Sequence, residues 1–166
     1  MAVREIRLFG DPVLGAVADA VEDFGEPVRR LVADMLETMD RAGGVGLAAN
    51  QVGVSRRVFV FDCQGLRGHL VNPVWRPLGA SEQTGREGCL SVPGVAGPVT
   101  RYNDVVAAGR DAEGRPVSLR ATGLLARCIQ HETDHLDGIM FMRRMDPAVR
   151  AEAMSMIRNA DWFKEK

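Results

Sequence analysis

The chain has 166 residues, 46% of them hydrophobic and 26% charged, with a formal net charge of -1. That length suits one domain with a real core, and the balanced charge argues against general nucleic-acid binding, which relies on clustered Lys and Arg. No apolar run approaches the ~20 residues of a membrane span, and the opening MAVREIR lacks the apolar stretch of a secretory signal. One domain over 1–166, in the cytoplasm, with no membrane contact, is the expectation. Three cysteines, Cys63, Cys89 and Cys128, make a poor disulfide framework and suit a reducing compartment where thiolates can bind metal.

Asp11-Pro12 predicts a short helical turn, with Asp as cap and Pro in the first turn. After Gly25, residues Val28, Leu31, Val32, Met35, Leu36 and Met39 recur at helical spacing, which predicts an amphipathic helix ending at Gly43-Gly44. Residues 57–62 (RVFVFD) read as a buried strand, and Leu70-Val71 as another that stops before Asn72-Pro73. Asp104–Arg110 and Pro116–Arg120, joined by the turn DAEG, predict a hairpin. Thr122 caps a second helix through His135, its apolar face supplied by Leu124, Leu125, Cys128 and Ile129, and Asp137-Gly138 ends it. A third helix enters at Asp146-Pro147 and runs towards Trp162. The pattern leaves the strands between Trp75 and Val99 undefined. This order favours an α+β fold with antiparallel sheets over a doubly wound parallel one.

The chemistry begins at His131-Glu132-Thr133-Asp134-His135. Residues i and i+4 of a helix share a face, so both imidazoles can reach one ion. Glu132 between them suits proton handling on activated water and is badly placed as a ligand. The alternative is an ordinary polar helix face. His69, the remaining histidine, reads as exposed. A hydrolytic site needs a third protein ligand and one open position. The extended form HExxHxxGxxH would put its last histidine at Phe141, so that pattern fails despite Gly138. A zinc peptidase with Glu152 as third ligand is the competing reading. Cys89, in EGCLS, is the better third ligand; Cys63 and Cys128 read as buried packing thiols. In GVGLAANQ the small residues let a peptide backbone come close and Gln51 offers an amide donor, although a helix end followed by a tight turn would also use Gly43 and Gly44.

Together GVGLAANQ, EGCLS and HETDHLDG resemble the three signature segments of bacterial peptide deformylases, in type, order and rough separation. The resemblance spans the first helix through Phe141. It implies an α+β fold with antiparallel sheets around a central HExxH helix, flanked by N-terminal and C-terminal helices. It further implies that Cys89, His131 and His135 bind the metal, Fe2+ in the cell, with Zn2+, Ni2+ or Co2+ able to take its place. Water activated by the ion would attack the formyl carbonyl of N-terminal formyl-methionine on newly made proteins. Glu132 would be the general acid/base, and Gln51 and the backbone N–H of Leu90 would stabilise the oxyanion. The nascent peptide would add, strand-like, to backbone around Val45, Gly46 and Gly88. Leu124, Cys128 and Val45 are candidates for the methionine pocket. A monomer is expected. The segment Gly94–Gly97 lacks the charged side chain some relatives carry there. From Arg143 to Lys166 six basic and four acidic residues leave a net +2, too weak to claim a nucleic-acid site; a transient ribosome contact through this tail is an expectation by analogy.

Overall fold

The computed structural model describes residues 1–165; Lys166, counted in the basic tail, lies outside them. Helix α1, Glu26–Ala42, carries Pro27 in its first turn and closes at Gly43, whose φ of +70° is left-handed. Its predicted face is buried, except that Leu36 is only partly covered. Chain continuation through Gly44 enters a short strand, β1 (Gly46–Ala48), and a 3-10 turn over Ala49–Val52.

Strands β2 (Val58–Cys63) and β3 (Leu66–Pro77) follow as an antiparallel pair. The expected stop at Asn72-Pro73 is not a stop. Asn72 takes φ +51° and the register shifts between Val71 and Val74, so β3 absorbs a bulge and continues. Asn tolerates that conformation, and its side chain exchanges two hydrogen bonds with the backbone of Val21, at 2.8 and 2.9 Å.

The undefined stretch forms β4 (Glu82–Gly88) and β5 (Ala96–Tyr102), a two-stranded antiparallel ribbon. β6 (Asp104–Arg110) and β7 (Pro116–Thr122) form the predicted hairpin, its turn held by Asp111 Oδ1 accepting from the N–H groups of Glu113 and Arg115. The larger sheet runs β1-β2-β3-β6-β7. His69 on β3 is half-buried rather than exposed: its Nε2 accepts the Ala112 N–H at 3.0 Å, and burial holds its pKa below the ordinary histidine value.

Helix α2, Gly123–Leu136, departs from a simple amphipathic pattern. Every residue from Leu125 to Leu136 is buried, while Leu124, expected on the apolar face, is 43% exposed. Thr122 holds the N-cap position without a side-chain cap bond. The helix is buried all round because it lies between the two sheets. Phe59 and Phe61 of β2 pack towards Leu125 and Ile129 of α2, and the alternate residues Val58 and Val60 pack towards Met35 and Leu31 of α1. A third cluster joins Val99 of β5 to Phe141, in a 3-10 turn over Phe141–Arg144, and to Ile157. Ile157 belongs to α3 (Pro147–Asn159), which begins at the predicted Asp-Pro entry; α4 (Asp161–Lys164) follows. No helix among the described residues is long and apolar enough to cross a membrane.

Ile129 is fully buried at the centre of this layering. Ile129→Ala should lower unfolding free energy by about 2–5 kcal/mol and Ile129→Val by only about 0.5–1.5 kcal/mol, read from denaturant midpoints at constant slope.

Candidate metal centre

On α2, His131 and His135 are one turn apart, with ring centroids 4.9 Å apart and Nε2 atoms 3.2 Å apart. Cys89 follows the last residue of β4, in a turn closed by Val92 N–H donating to the Cys89 carbonyl at 3.0 Å. Its Sγ lies 3.2 Å from His135 Nε2, and one ligand atom from each of the three residues falls within 4.8 Å of the others. The sequence therefore predicted a triad that the fold does bring together. Glu152, the competing ligand, sits exposed on α3 outside this cluster.

A hydrogen bond fixes His131. Its Nδ1 faces Glu87 Oε2 at 2.7 Å, which leaves Nε2 as the atom turned to Cys89 and His135. Glu87 in turn accepts from Arg101, at 2.7 and 3.2 Å, and from Arg127 at 2.8 Å. Arg101 continues to Asp134 at 2.7 Å, and Arg144 closes the chain on Asp134 at 2.9 and 3.0 Å. Burial works against the Glu87 anion, but hydrogen bonds from His131 and Arg101 outweigh it and hold the carboxyl well below the usual range. Burial also opposes charge on His131, yet Cys89 and Glu87 together push it well above the ordinary value. His135 moves the opposite way, through burial and then the neighbouring His131 charge.

Gln51, on the 3-10 turn, has its amide oriented at both ends. Oε1 accepts Ala48 N–H at 2.9 Å; Nε2 donates to Ser91 Oγ at 3.0 Å and lies 3.6 Å from Cys89 Sγ. The backbone N–H of Leu90 donates to no protein group among the described residues. Glu132 is buried beside the cluster, Oε1 at 3.7 Å from His131 Nε2 and Oε2 without a partner. Burial, reinforced by the Glu87 charge, pushes its carboxyl up to about 7 against the pull of His131. A groove of about 750 Å³ opens onto these residues, lined also by Val45, Gly46, Gly88, Leu124 and Cys128. Cys128 is both buried packing and groove wall, its Sγ 3.7 Å from the Val45 carbonyl. A Cβ on Gly46 would fall 2.7 Å from that sulfur and 3.1–3.2 Å from Glu132, so only glycine leaves the carboxylate its place.

A soft thiolate with two imidazoles is a donor set for a first-row divalent ion, and the groove leaves one side open. The residues present fit a metal. Sequence reasoning missed Glu87 as the orienter of His131, Arg101 and Arg127 behind it, and Ser91 as the partner of Gln51. The signal was available only as a glutamate two residues before Cys89; its partners lie far off in the chain.

Glu87→Gln would leave Arg127 without a carboxylate partner and Arg101 with Asp134 alone, and should destabilise the fold by about 3–5 kcal/mol in chemical unfolding. It should also weaken zinc binding roughly 10–100-fold in chelator competition. Because folding lowers the Glu87 pKa, its contribution is complete above the unfolded value of about 4.3 and is lost as pH falls towards the folded one. The acid arm of the metal-free stability curve should therefore be shallower in Glu87→Gln.

Residues 3–151 match the model of the polypeptide deformylase family. The chain is 60% identical to peptide deformylase 1 of Corynebacterium efficiens, over 99% of this chain and 100% of that one. It is 56% identical to the peptide deformylase of Acidothermus cellulolyticus, over 98% and 89%. Its fold matches the crystal structure of a peptide deformylase from Legionella pneumophila with a TM-score of 0.90 at 38% identity, covering 99% of both chains. It likewise matches that of Synechococcus elongatus in complex with actinonin, with a TM-score of 0.88 at 37% identity, over 96% and 90%. Fold, donor set and sequence agree, and the chain belongs to the polypeptide deformylase family.

Proposed function

We propose that this chain, as one domain over 1–166, hydrolyses the formyl group from the N-terminal methionine of nascent peptides, releasing formate and a free amine. The observation that carries the reading is the convergence of Cys89, His131 and His135 beside a buried Glu132, one of whose carboxylate oxygens has no partner, at the end of an open groove. These three residues would hold the ion, Fe2+ in the cell, with zinc, nickel or cobalt as substitutes. When bound, the ion supplies Lewis-acid activation of water and of the formyl oxygen.

The chain's own groups do the rest. Glu132, near 7 through burial, is poised to take a proton from the attacking water and return it to the leaving amine nitrogen as the C–N bond breaks. Gln51 Nε2 gives one hydrogen to Ser91 and points the other at Cys89 Sγ, beside the place where the oxyanion develops; that hydrogen and the uncommitted Leu90 N–H serve as donors to it. Fixing the Gln51 amide at both ends means little reorganisation is needed at the moment of reaction. Val45, Gly46 and Gly88 offer backbone for strand-like addition of the peptide. Leu124, exposed at the groove wall, and Cys128 receive the methionine side chain. The enzyme acts in the cytoplasm as a monomer, and its C-terminal helices contact the ribosome transiently through Arg158 and Lys164, both exposed.

Protein loaded anaerobically with Fe2+ should release amine from a formyl-Met peptide and not from its acetyl-Met counterpart, whose extra methyl clashes where the formyl hydrogen fits. Turnover of neither would defeat the reading. Cys89→Ala should lose bound metal and activity together. Glu132→Ala should keep the metal by elemental analysis while losing turnover, and Gln51→Ala should lower kcat by roughly 10²–10³.

A further inference from the structure

The groove's charged lining is uneven. Glu87, Arg127, His131 and Glu132 are buried, and all but Glu132 are committed to the ion network. Arg86 is the exposed charge of that lining, and among the described residues no carboxylate pairs with it. Gly94, Val95 and Ala96, also in the lining, add no charge.

Arg86 lies on β4, two residues before Gly88, so both side-chain positions fall on one face of the strand, while Glu87 turns inward. β4 pairs with β5 along one edge, and no other strand occupies its second edge among the described residues. A formyl group sits at the very start of its peptide. A peptide with that end at Cys89 that adds to β4 has one way to run: back from Gly88 towards Glu82, antiparallel to the strand. A methionine that reaches Leu124 and Cys128 of α2 turns its side chain the way Glu87 does, so it stands opposite Glu87, and the second residue stands opposite Arg86, about 3.3 Å further along.

We propose, resting on the deformylase reading above, that Arg86 is a specificity-determining residue that selects peptides with an acidic side chain at the second position. The guanidinium meets the carboxylate at the open rim, where an ion pair is screened, so the preference is graded rather than absolute.

The test is a peptide series, formyl-Met-X-Ala-Ala with X as Asp, Ser or Lys, on Fe2+-loaded protein. kcat/KM should fall from Asp to Ser to Lys by roughly 1.5–5-fold per step, carried by KM and reduced at raised salt. Arg86→Glu should reverse the order and Arg86→Gln should flatten it. Equal turnover of the three peptides, or an order unchanged in Arg86→Glu, would overturn the inference while leaving the deformylase reading intact. So would a larger charge effect when the acid is moved to the third or fourth position. No turnover of any peptide would instead bring down the deformylase reading, and this one with it.

Discussion

One carboxylate organises the site. Glu87 is nearly sealed from solvent and serves three cationic or hydrogen-bonding groups at once: Arg101 from β5, and Arg127 and His131 from α2. Replacing such a buried ionic cluster with apolar residues is often neutral or favourable for stability, so its presence is poorly explained by stability alone. Its geometric effect is plain. It ties the β4–β5 ribbon to the helix that carries both imidazoles, and it sets which His131 nitrogen faces the centre. Cys89 is two residues further along the same chain, so whatever fixes Glu87 also delivers the thiolate.

How much of this was legible in the sequence depended on whether the determinant was local. α1 was readable because its apolar residues repeat at helical spacing and glycines close it. The two histidines were readable because i and i+4 need nothing but a helix. β4 was not: EQTGREG has one inward side chain, and that one is a glutamate, so a strand detector looking for apolar alternation finds nothing. β3 was cut short because Asn72-Pro73 looks like a terminator, whereas Val21, far away in the chain, supplies the partner that lets Asn72 bulge. Cys89 was set apart from Cys63 and Cys128 by its EGCLS surroundings and then by resemblance, since no spacing ties it to the histidines. Glu152 was refuted by exposure, a property periodicity did not supply.

The unsatisfied polar atoms are concentrated where the chemistry is. Among the described residues, five buried side-chain atoms lack partners, and Glu132 Oε2, His135 Nδ1, Asn50 Oδ1 and Arg127 Nη2 belong to the site or to the residues that brace it, with Glu37 Oε2 on α1 apart from them. An ionised carboxylate without partners is costly to bury, and the shift of Glu132 to about 7 is the expression of that cost. The same burial that destabilises the anion makes it a competent base near neutrality. Gly46 belongs to this account, because any side chain there would displace the carboxylate or the Cys128 sulfur.

The two histidines are held by unlike means. His131 is oriented through its ring, by Glu87. His135 is placed through its backbone: the Asn50 side-chain amide donates to the His135 carbonyl, and the next carbonyl, of Leu136, accepts from Arg57 at 2.8 Å and from the Ala18 N–H at 2.8 Å. These are carbonyls at the helix C-terminus, where intrahelical donors run out, so satisfying them also fixes how deep the helix sits. Asn50 and Gln51 are neighbours on one 3-10 turn, yet one grips the helix end and the other faces the sulfur. A turn of three residues per rotation points successive side chains about 120° apart, which lets a single tight segment do both. The segment GVGLAANQ therefore contributes more than a small-residue wall. It sets the relative position of the Cys89 turn and the HExxH helix, two pieces that the sequence keeps more than forty residues apart.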